Sequence, residues 1–261
     1  MIRKFLPITK NATFSILLPD PSKQDMPIPR GTGFFISTDG WFVTALHVIS
    51  ENNAVRKDIE QAVLMKEQEA GKAIRMCQAV KVVEVIPKFD FALLKVDFEL
   101  NKNKEWLKTS QGFPFLQISS MELSDGEPVY AFGYPLPDNY YQNNGNFSIG
   151  HNSLCPRVTS AIVSSRVEKT QMITTDGAPQ VYVLDKALNY GNSGGPILSV
   201  ETGHVHAFCS RFQPVYIPQH HLSKNNPNIS IVIPSLYGIV INLGHPAIIK
   251  ILQKNGITIL K

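Results

Sequence analysis

Short apolar runs broken by turn residues dominate the chain, and few stretches repeat at helical spacing. Residues 14–18 form the first run. The polar, proline-rich 20–27 follows, which predicts one strand and then a turn or loop. Residues 31–37 read as a strand, Asp39-Gly40 as a hairpin turn and 41–44 as the return strand, which leads into Ala45-Leu46-His47-Val48. Residues 51–72 are polar, with weakly periodic Val55, Ile59, Val63 and Leu64, and predict a helix or an irregular surface loop. Residues 79–86 and 91–96 are strands separated by Pro87-Lys88-Phe89-Asp90. Polar residues 101–114 form a joint between two halves.

The second half repeats the style. Residues 129–134 are a strand stopped by Pro135, and 138–151, rich in Asn, Gly and Tyr, read as a long functional loop. Strands are predicted at 158–167, 180–184, 231–233 and 236–240, and a hairpin at 196–199 and 205–210. Residues 214–228 are polar and proline-rich and predict a mobile connection. Ala247, Ile248, Ile251 and Leu252 recur at helical spacing, with Pro246 in the first turn and Gly256 just past the last. Many short strands and one terminal helix predict an all-β protein of two packed barrels. The divisions are an N-terminal strand and loop (1–28), a first β-barrel (29–110), a second β-barrel (111–244) and a C-terminal helix (245–261), all within one domain.

Composition narrows the function classes. The chain has 261 residues, 43% hydrophobic and 18% charged, enough for a full core. Its net charge of +4 is spread without a basic run, which argues against a nucleic-acid partner. No segment approaches the roughly 18 consecutive apolar residues of a membrane span. Residues 1–7 begin with positive charge, as a signal peptide does. Pro7, Lys10 and Asn11 break the apolar run, however, and no small-residue cleavage site follows, so the expected location is cytoplasmic. Cys77, Cys155 and Cys209 are too few and too scattered for a disulfide framework and fit a reducing compartment. None stands at zinc-like spacing from another ligand, so no metal and no cofactor are expected. His204 and His206 share one strand face and read as surface or core histidines.

Chemistry concentrates in Gly191-Asn192-Ser193-Gly194-Gly195-Pro196. A serine needs a base to become nucleophilic, and acyl transfer needs donors aimed at the developing oxyanion. Glycines let bare N–H groups approach a substrate carbonyl. This turn can supply the attacking Ser193 oxygen and, through the Gly191 and Ser193 N–H groups, an anion hole; alone it could equally be an ordinary Gly/Ser loop. His47 is the best base candidate, although in isolation a buried strand-end histidine reads as well. Asp90, between Phe89 and Phe91, is costly to bury without a partner, and a histidine N–H is a natural one. The chain order is His47, Asp90, Ser193, as in the chymotrypsin arrangement, with the first two in one half and the third in the other.

Taken with their surroundings, these residues resemble a trypsin-like serine protease of the HtrA (Deg) type. The likeness runs over Gly31–Val48, Asp90–Val96, Val129–Pro135, Val158–Ser164 and Asp185–Pro196, within about residues 30–255. It implies two six-stranded antiparallel β-barrels of the chymotrypsin kind. It also implies His47 as general base and then acid, Asp90 as its orienting carboxylate, and Ser193 as nucleophile. Gly191 and Ser193 would hold the oxyanion, with Asn192 shaping the turn. Ala187, six residues before the serine, would be the pocket floor, and Leu188, Phe208, Cys209 and Ser210 its walls. No acid or base sits among them, so small or medium apolar side chains are the expected preference in a protein or peptide substrate. A regulatory protein partner or a homo-oligomer is compatible with the likeness.

Three departures qualify it. HtrA proteases usually continue into a PDZ domain, and none is expected in this chain. Tyr190 is bulkier than the residue usual before the oxyanion glycine, and narrows the cleft or holds the loop inactive. Digestive trypsins switch on when a new N-terminal amine pairs with an aspartate preceding the serine. Asn192 stands there and cannot form that ion pair, so no activation by N-terminal cleavage is expected. Two rival readings stay open: a protease fold used for binding, and an acyl hydrolase with Gly-x-Ser-x-Gly. The second requires a late Asp-then-His pair on alternating β/α segments. His220, His221 and His245 lie instead in a proline-rich stretch or at a helix start.

Overall fold

A computed structural model describes residues 2–20, 26–51, 54–69, 72–77, 80–96, 112–135, 138–143, 148–167, 180–218 and 230–261. The first half holds helix α1 (Ile2–Ala12) and strands β1 (Thr13–Asp20), β2 (Met26–Phe35), β3 (Trp41–Ala45), β4 (Ser50–Glu51), β5 (Ala54–Val55), β6 (Val63–Glu69), β7 (Lys72–Cys77), β8 (Val80–Ile86) and β9 (Phe91–Val96). The second holds β10 (Ile118–Ser119), β11 (Pro128–Gly133), β12 (Asp138–Asn143), β13 (Ser148–Ser153), β14 (Arg157–Val167), β15 (Val181–Leu184), β16 (Pro196–Ser199), β17 (Val205–Pro218), β18 (Ser230–Asn242), α2 (Pro246–Lys254) and β19 (Ile259–Leu260).

The expected all-β, two-barrel architecture is present. In the second half, β16, β11, β14, β15, β18 and β17 pair in that order and β17 returns to β16, closing a ring of six strands. β10 and β19 are added to it by parallel pairing. The first half is one seven-stranded antiparallel sheet in the order β7-β6-β1-β2-β3-β9-β8. The 3₁₀ turn Ile59–Gln61 packs between β8 and β1.

Burial explains why several strands read as unbroken apolar runs. On β11, Val129 and Ala131 face the interior of the closed barrel, while Tyr130 joins the core that spans both halves. Both faces of that strand are covered, so alternation is lost. Phe14, Phe35 and Phe42 pack tilted and edge-to-face in the first half, and Phe91 meets Phe208 across the two halves with ring centres 6.2 Å apart. Each such ring contributes about 1.5–3 kcal/mol by leaving water. α2 forms as its sequence predicts. Pro246 opens it, His245 caps it by accepting the Ala247 N–H through Nδ1 at 3.1 Å, and Ile248 and Leu252 are buried.

Four segments differ from expectation. Residues 2–12 form a helix, where only a strand and a loop are expected within 1–28. It is held by Thr9 Oγ1, 3.1 Å from the Tyr130 hydroxyl, and by the Phe5 ring, which fills the space left by the missing side chain of Gly203. The strand expected within 1–28 sits inside the first sheet, between β2 and β6. Residues 63–69 are strand instead of the expected helix or irregular surface loop, because Leu17, Ile16 and Ser15 offer Val63, Leu64 and Met65 an antiparallel partner. Residues 138–143 and 148–153 pair as a hairpin within the expected long loop. The expected mobile connection begins as strand, with residues 214–218 paired to 230–234 in a ribbon that prolongs β17 and β18. The joint at 101–114 lies mostly outside the described residues, as do His220 and His221.

Candidate active site

The β3–β9 register pairs Ala45 with Phe91 and so brings the residues just past one strand beside those just before the other. The Leu46 N–H donates to the Asp90 carbonyl at 2.7 Å. Asp90 follows the 3₁₀ turn Pro87–Phe89 and is the one non-glycine residue with positive φ (50°) among the described residues. That left-handed backbone is uncommon outside glycine, with aspartate among the more tolerant types. It turns the carboxylate back toward His47. Oδ1 accepts the His47 backbone N–H at 2.9 Å, and Oδ2 lies 2.7 Å from His47 Nδ1.

A third donor reaches the same carboxylate. Ser210 Oγ donates to Asp90 Oδ2 at 2.6 Å. Burial pushes the Asp90 carboxyl up, but the hydrogen bonds from His47 and Ser210 and the imidazole's charge outweigh it and hold the group below the ordinary carboxylate range. Because the carboxylate is acceptor-only, it fixes Nδ1 as the protonated ring nitrogen and leaves Nε2 free to accept a proton.

Ser193 comes from the second half. The Gly194 N–H donates to the Cys209 carbonyl at 2.6 Å and the Cys209 N–H to the Gly195 carbonyl at 2.8 Å, which lays the turn along β17. Ser193 Oγ donates to the Ser210 carbonyl at 3.4 Å. Ser210 therefore touches both Asp90 and Ser193. A Cβ on Gly31 would lie 2.5 Å from Val48, the neighbour of His47, and 2.8 Å from the Ser193 carbonyl oxygen. The structure thus brings the three predicted residues together where the two halves join, with Ser193 linked to Asp90 through Ser210. Among the described residues, no hydrogen bond joins Ser193 Oγ to the His47 ring, and such contacts commonly tighten only with substrate.

The turn's backbone is set by its glycines. Gly191 and Gly194 have φ of 93° and 83°. A Cβ on Gly194 would lie 2.2 Å from both the Thr32 carbonyl oxygen and Thr44 Oγ1. Gly194→Ala is expected to destabilise the fold by about 2–5 kcal/mol, the left-handed backbone giving about 1–2 and the crowding about 1–3. A lower urea midpoint at unchanged slope checks this. Asn192 is buried, with Oδ1 in the space left by Gly133. Its carbonyl accepts the Gly195 N–H at 2.7 Å, and among the described residues neither the Gly191 nor the Ser193 N–H has a hydrogen-bond acceptor.

The expected pocket residues separate. Ala187 is half-buried, whereas Leu188, Phe208 and Cys209 are packed into the two cores. Ser210 is buried, with its side chain on the Asp90 carboxylate. Its position two residues beyond Phe208, in the run Phe208-Cys209-Ser210, carried the available signal: a hydroxyl buried in a core strand must find a partner. Tyr190 is 68% exposed and lies on the surface. His206 is buried, with Nδ1 donating to the Met121 carbonyl at 2.8 Å. Among the described residues, no group of three or more His, Cys, Asp or Glu is placed to hold a metal ion.

Two β units, with a histidine and an aspartate from one and a glycine-flanked serine from the other brought together where they join, define the chymotrypsin-type peptidase class. The chain belongs to the trypsin-like peptidase family: the Trypsin-like peptidase domain matches residues 31–207. Its relatives are of the HtrA type. It is 29% identical over 182 residues to Serine protease HTRA1A of Danio rerio, covering 69% of this chain and 30% of that protein. It is 28% identical over 240 residues to a probable periplasmic serine endoprotease, DegP-like, of Rickettsia prowazekii, covering 92% of this chain and 36% of that protein. The chain thus spans about a third of the length of these relatives. The solved HtrA-type protease AlgW with tripeptide matches with a TM-score of 0.59 at 16% identity, covering 99% of this chain and 65% of that one, a likeness of fold.

Proposed function

We propose that the chain is a serine endopeptidase that cleaves peptide bonds in proteins or peptides through an acyl-enzyme. Ser193 Oγ attacks the scissile carbonyl while His47 Nε2 takes its proton. His47 then gives that proton to the leaving amine, and water repeats the sequence in reverse to release the acyl group. Asp90 holds the imidazole in the required tautomer. Gly191 and Ser193 donate their N–H groups to the oxyanion, in a turn shaped by Asn192. The observation that carries this reading is the continuous series from His47 Nδ1 through Asp90 Oδ2 and Ser210 to Ser193. Family membership supports the same chemistry.

Ala187 is the proposed pocket floor, and the proposed preference is for Ala, Val or Leu before the cleaved bond. Asn192 in place of an aspartate argues that the uncut chain is active, with no new N-terminal amine required. A fluorophosphonate probe should label Ser193 in the intact chain, and a peptide library should be cut after small or medium apolar residues. Labelling that appears only after N-terminal trimming would overturn the first expectation, and cleavage mainly after Arg or Glu the second.

A further inference from the structure

Beyond the three side chains of the proposed chemistry, one residue of the first half holds the nucleophile turn of the second. Thr32, on β2, is fully buried. Its N–H donates to the Ser193 carbonyl at 2.8 Å, and its hydroxyl donates to the Gly191 carbonyl at 2.6 Å. The Tyr134 N–H donates to the same hydroxyl oxygen at 3.1 Å. A hydroxyl has one proton, and the incoming N–H takes a lone pair, so that proton is committed to Gly191. The residue is itself tied to the histidine strand, since Thr44 Oγ1 donates to the Thr32 carbonyl at 2.7 Å. Its methyl lies 3.3 Å from where a Cβ on Gly195 would stand, so the turn and the β-branched side chain fix each other.

We infer that Thr32 is a positioning residue for the oxyanion hole, locking the peptide between Gly191 and Asn192 through its hydroxyl. This rests on the reading of Ser193 as nucleophile. The geometry on either side of Ser193 is nearly complete without that hydroxyl. The peptide following Ser193 is held at its carbonyl by the Thr32 N–H and at the Gly194 N–H by Cys209. The peptide preceding it is held at the Asn192 carbonyl by the Gly195 N–H. The next peptide back has its Asn192 N–H on the Asn189 carbonyl at 3.1 Å, and its own carbonyl on Thr32 Oγ1. Any residue but proline at 32 keeps the backbone bond to Ser193, but only Ser or Thr supplies the bond to Gly191 at this reach. With that carbonyl released, glycine's soft backbone lets the peptide turn. The Gly191 and Ser193 N–H groups on its two sides then lose their common aim.

The separating experiment compares Thr32→Val, which keeps the shape and loses the hydroxyl, with Thr32→Ser, which keeps the hydroxyl and loses the methyl. Each is assayed well below its own Tm. Thr32→Val is expected to lower kcat on a peptide amide and the rate of fluorophosphonate labelling about ten- to a hundredfold, short of the loss of a whole oxyanion donor. KM should change little, because the ground-state substrate makes less use of the hole. Thr32→Ser should stay within about threefold of the wild type, since the hydroxyl still reaches Gly191. Should Thr32→Val not fold, Thr32→Cys keeps the size and offers only a weak donor, and it should fall well below Thr32→Ser. Equal rates for the hydroxyl and non-hydroxyl variants would overturn the positioning role alone, provided the wild type is labelled at Ser193. A wild type that is not labelled there removes the nucleophile assignment and this inference with it.

Discussion

Ser193→Ala is expected to lower peptide-amide hydrolysis by about 10⁵- to 10⁶-fold, in line with loss of the nucleophile in a Ser-His-Asp group. The fold should be nearly untouched. Ser193 is only part-buried, and among the described residues its Oγ makes a single long bond, 3.4 Å to the Ser210 carbonyl. Losing a bond of that kind costs at most about 1 kcal/mol. The turn is held by main-chain contacts that alanine keeps: Thr32 to the residue-193 carbonyl, Gly194 to Cys209 and Gly195 to Asn192. A residual rate above water is expected, because the anion hole and substrate binding survive. The measurement is kcat/KM with Tm alongside. A variant that keeps more than about a hundredth of the activity at unchanged Tm would place the nucleophile elsewhere.

The candidate site was legible in the chain through the joint occurrence and order of its motifs, since each motif alone left an ordinary structural alternative. Asp90 sits between two phenylalanines that are both buried, so its carboxylate had to be paired. The glycines around Ser193 had to allow positive φ, and Gly191 and Gly194 do adopt it. The C-terminal helix carried its own start and stop signals. What escaped the sequence depends on distant partners. Residues 2–12 contain Pro7, and Arg3, Lys4, Thr9, Lys10 and Asn11 interrupt their apolar positions; their helix is supported by Thr9 against Tyr130 and by Phe5 over Gly203, more than a hundred residues away. Residues 63–69 lack a clear twofold alternation and become strand through pairing with β1. Tertiary pairing overrode local preference in both cases.

The same dependence on remote contacts sets the place of the Ser210 side chain. In sequence Ser210 lies beyond two apolar residues of a strand, and nothing local points to Asp90. In space β17 runs past the nucleophile turn, and its register sets Cys209 beside Gly194 and Gly195. Ser210 falls one residue further, between Ser193 and Asp90. Its hydroxyl completes the set of donors on the carboxylate, and its carbonyl accepts a hydrogen bond from the Ser193 hydroxyl.

Asp90→Asn is expected to lower kcat about 10⁴-fold by putting the imidazole in the wrong tautomer. The carboxylate accepts three donors: the His47 N–H on Oδ1, and His47 Nδ1 and Ser210 Oγ on Oδ2. An amide has only one acceptor oxygen, so its NH₂ must face at least one of them. If it faces Nδ1, that nitrogen must accept, the ring proton moves to Nε2, and Nε2 can no longer take the serine's proton. The substitution also changes how stability depends on pH. The Asp90 carboxyl is held below its ordinary range in the folded chain, so the folded state favours the ionised form. Its contribution is fully present above the unfolded pKa of about 3.9 and is lost as pH falls through the lower folded value. Urea unfolding of the wild type should therefore lose stability on acidification across that window, and Asp90→Asn should lack this part of the slope. Ser210→Ala, which keeps the His47 pair and removes one donor, should lose less in kcat than Asp90→Asn and show a shallower acid slope than wild type. An Asp90→Asn enzyme within tenfold of wild type in kcat would mean that the imidazole is oriented by something other than this carboxylate.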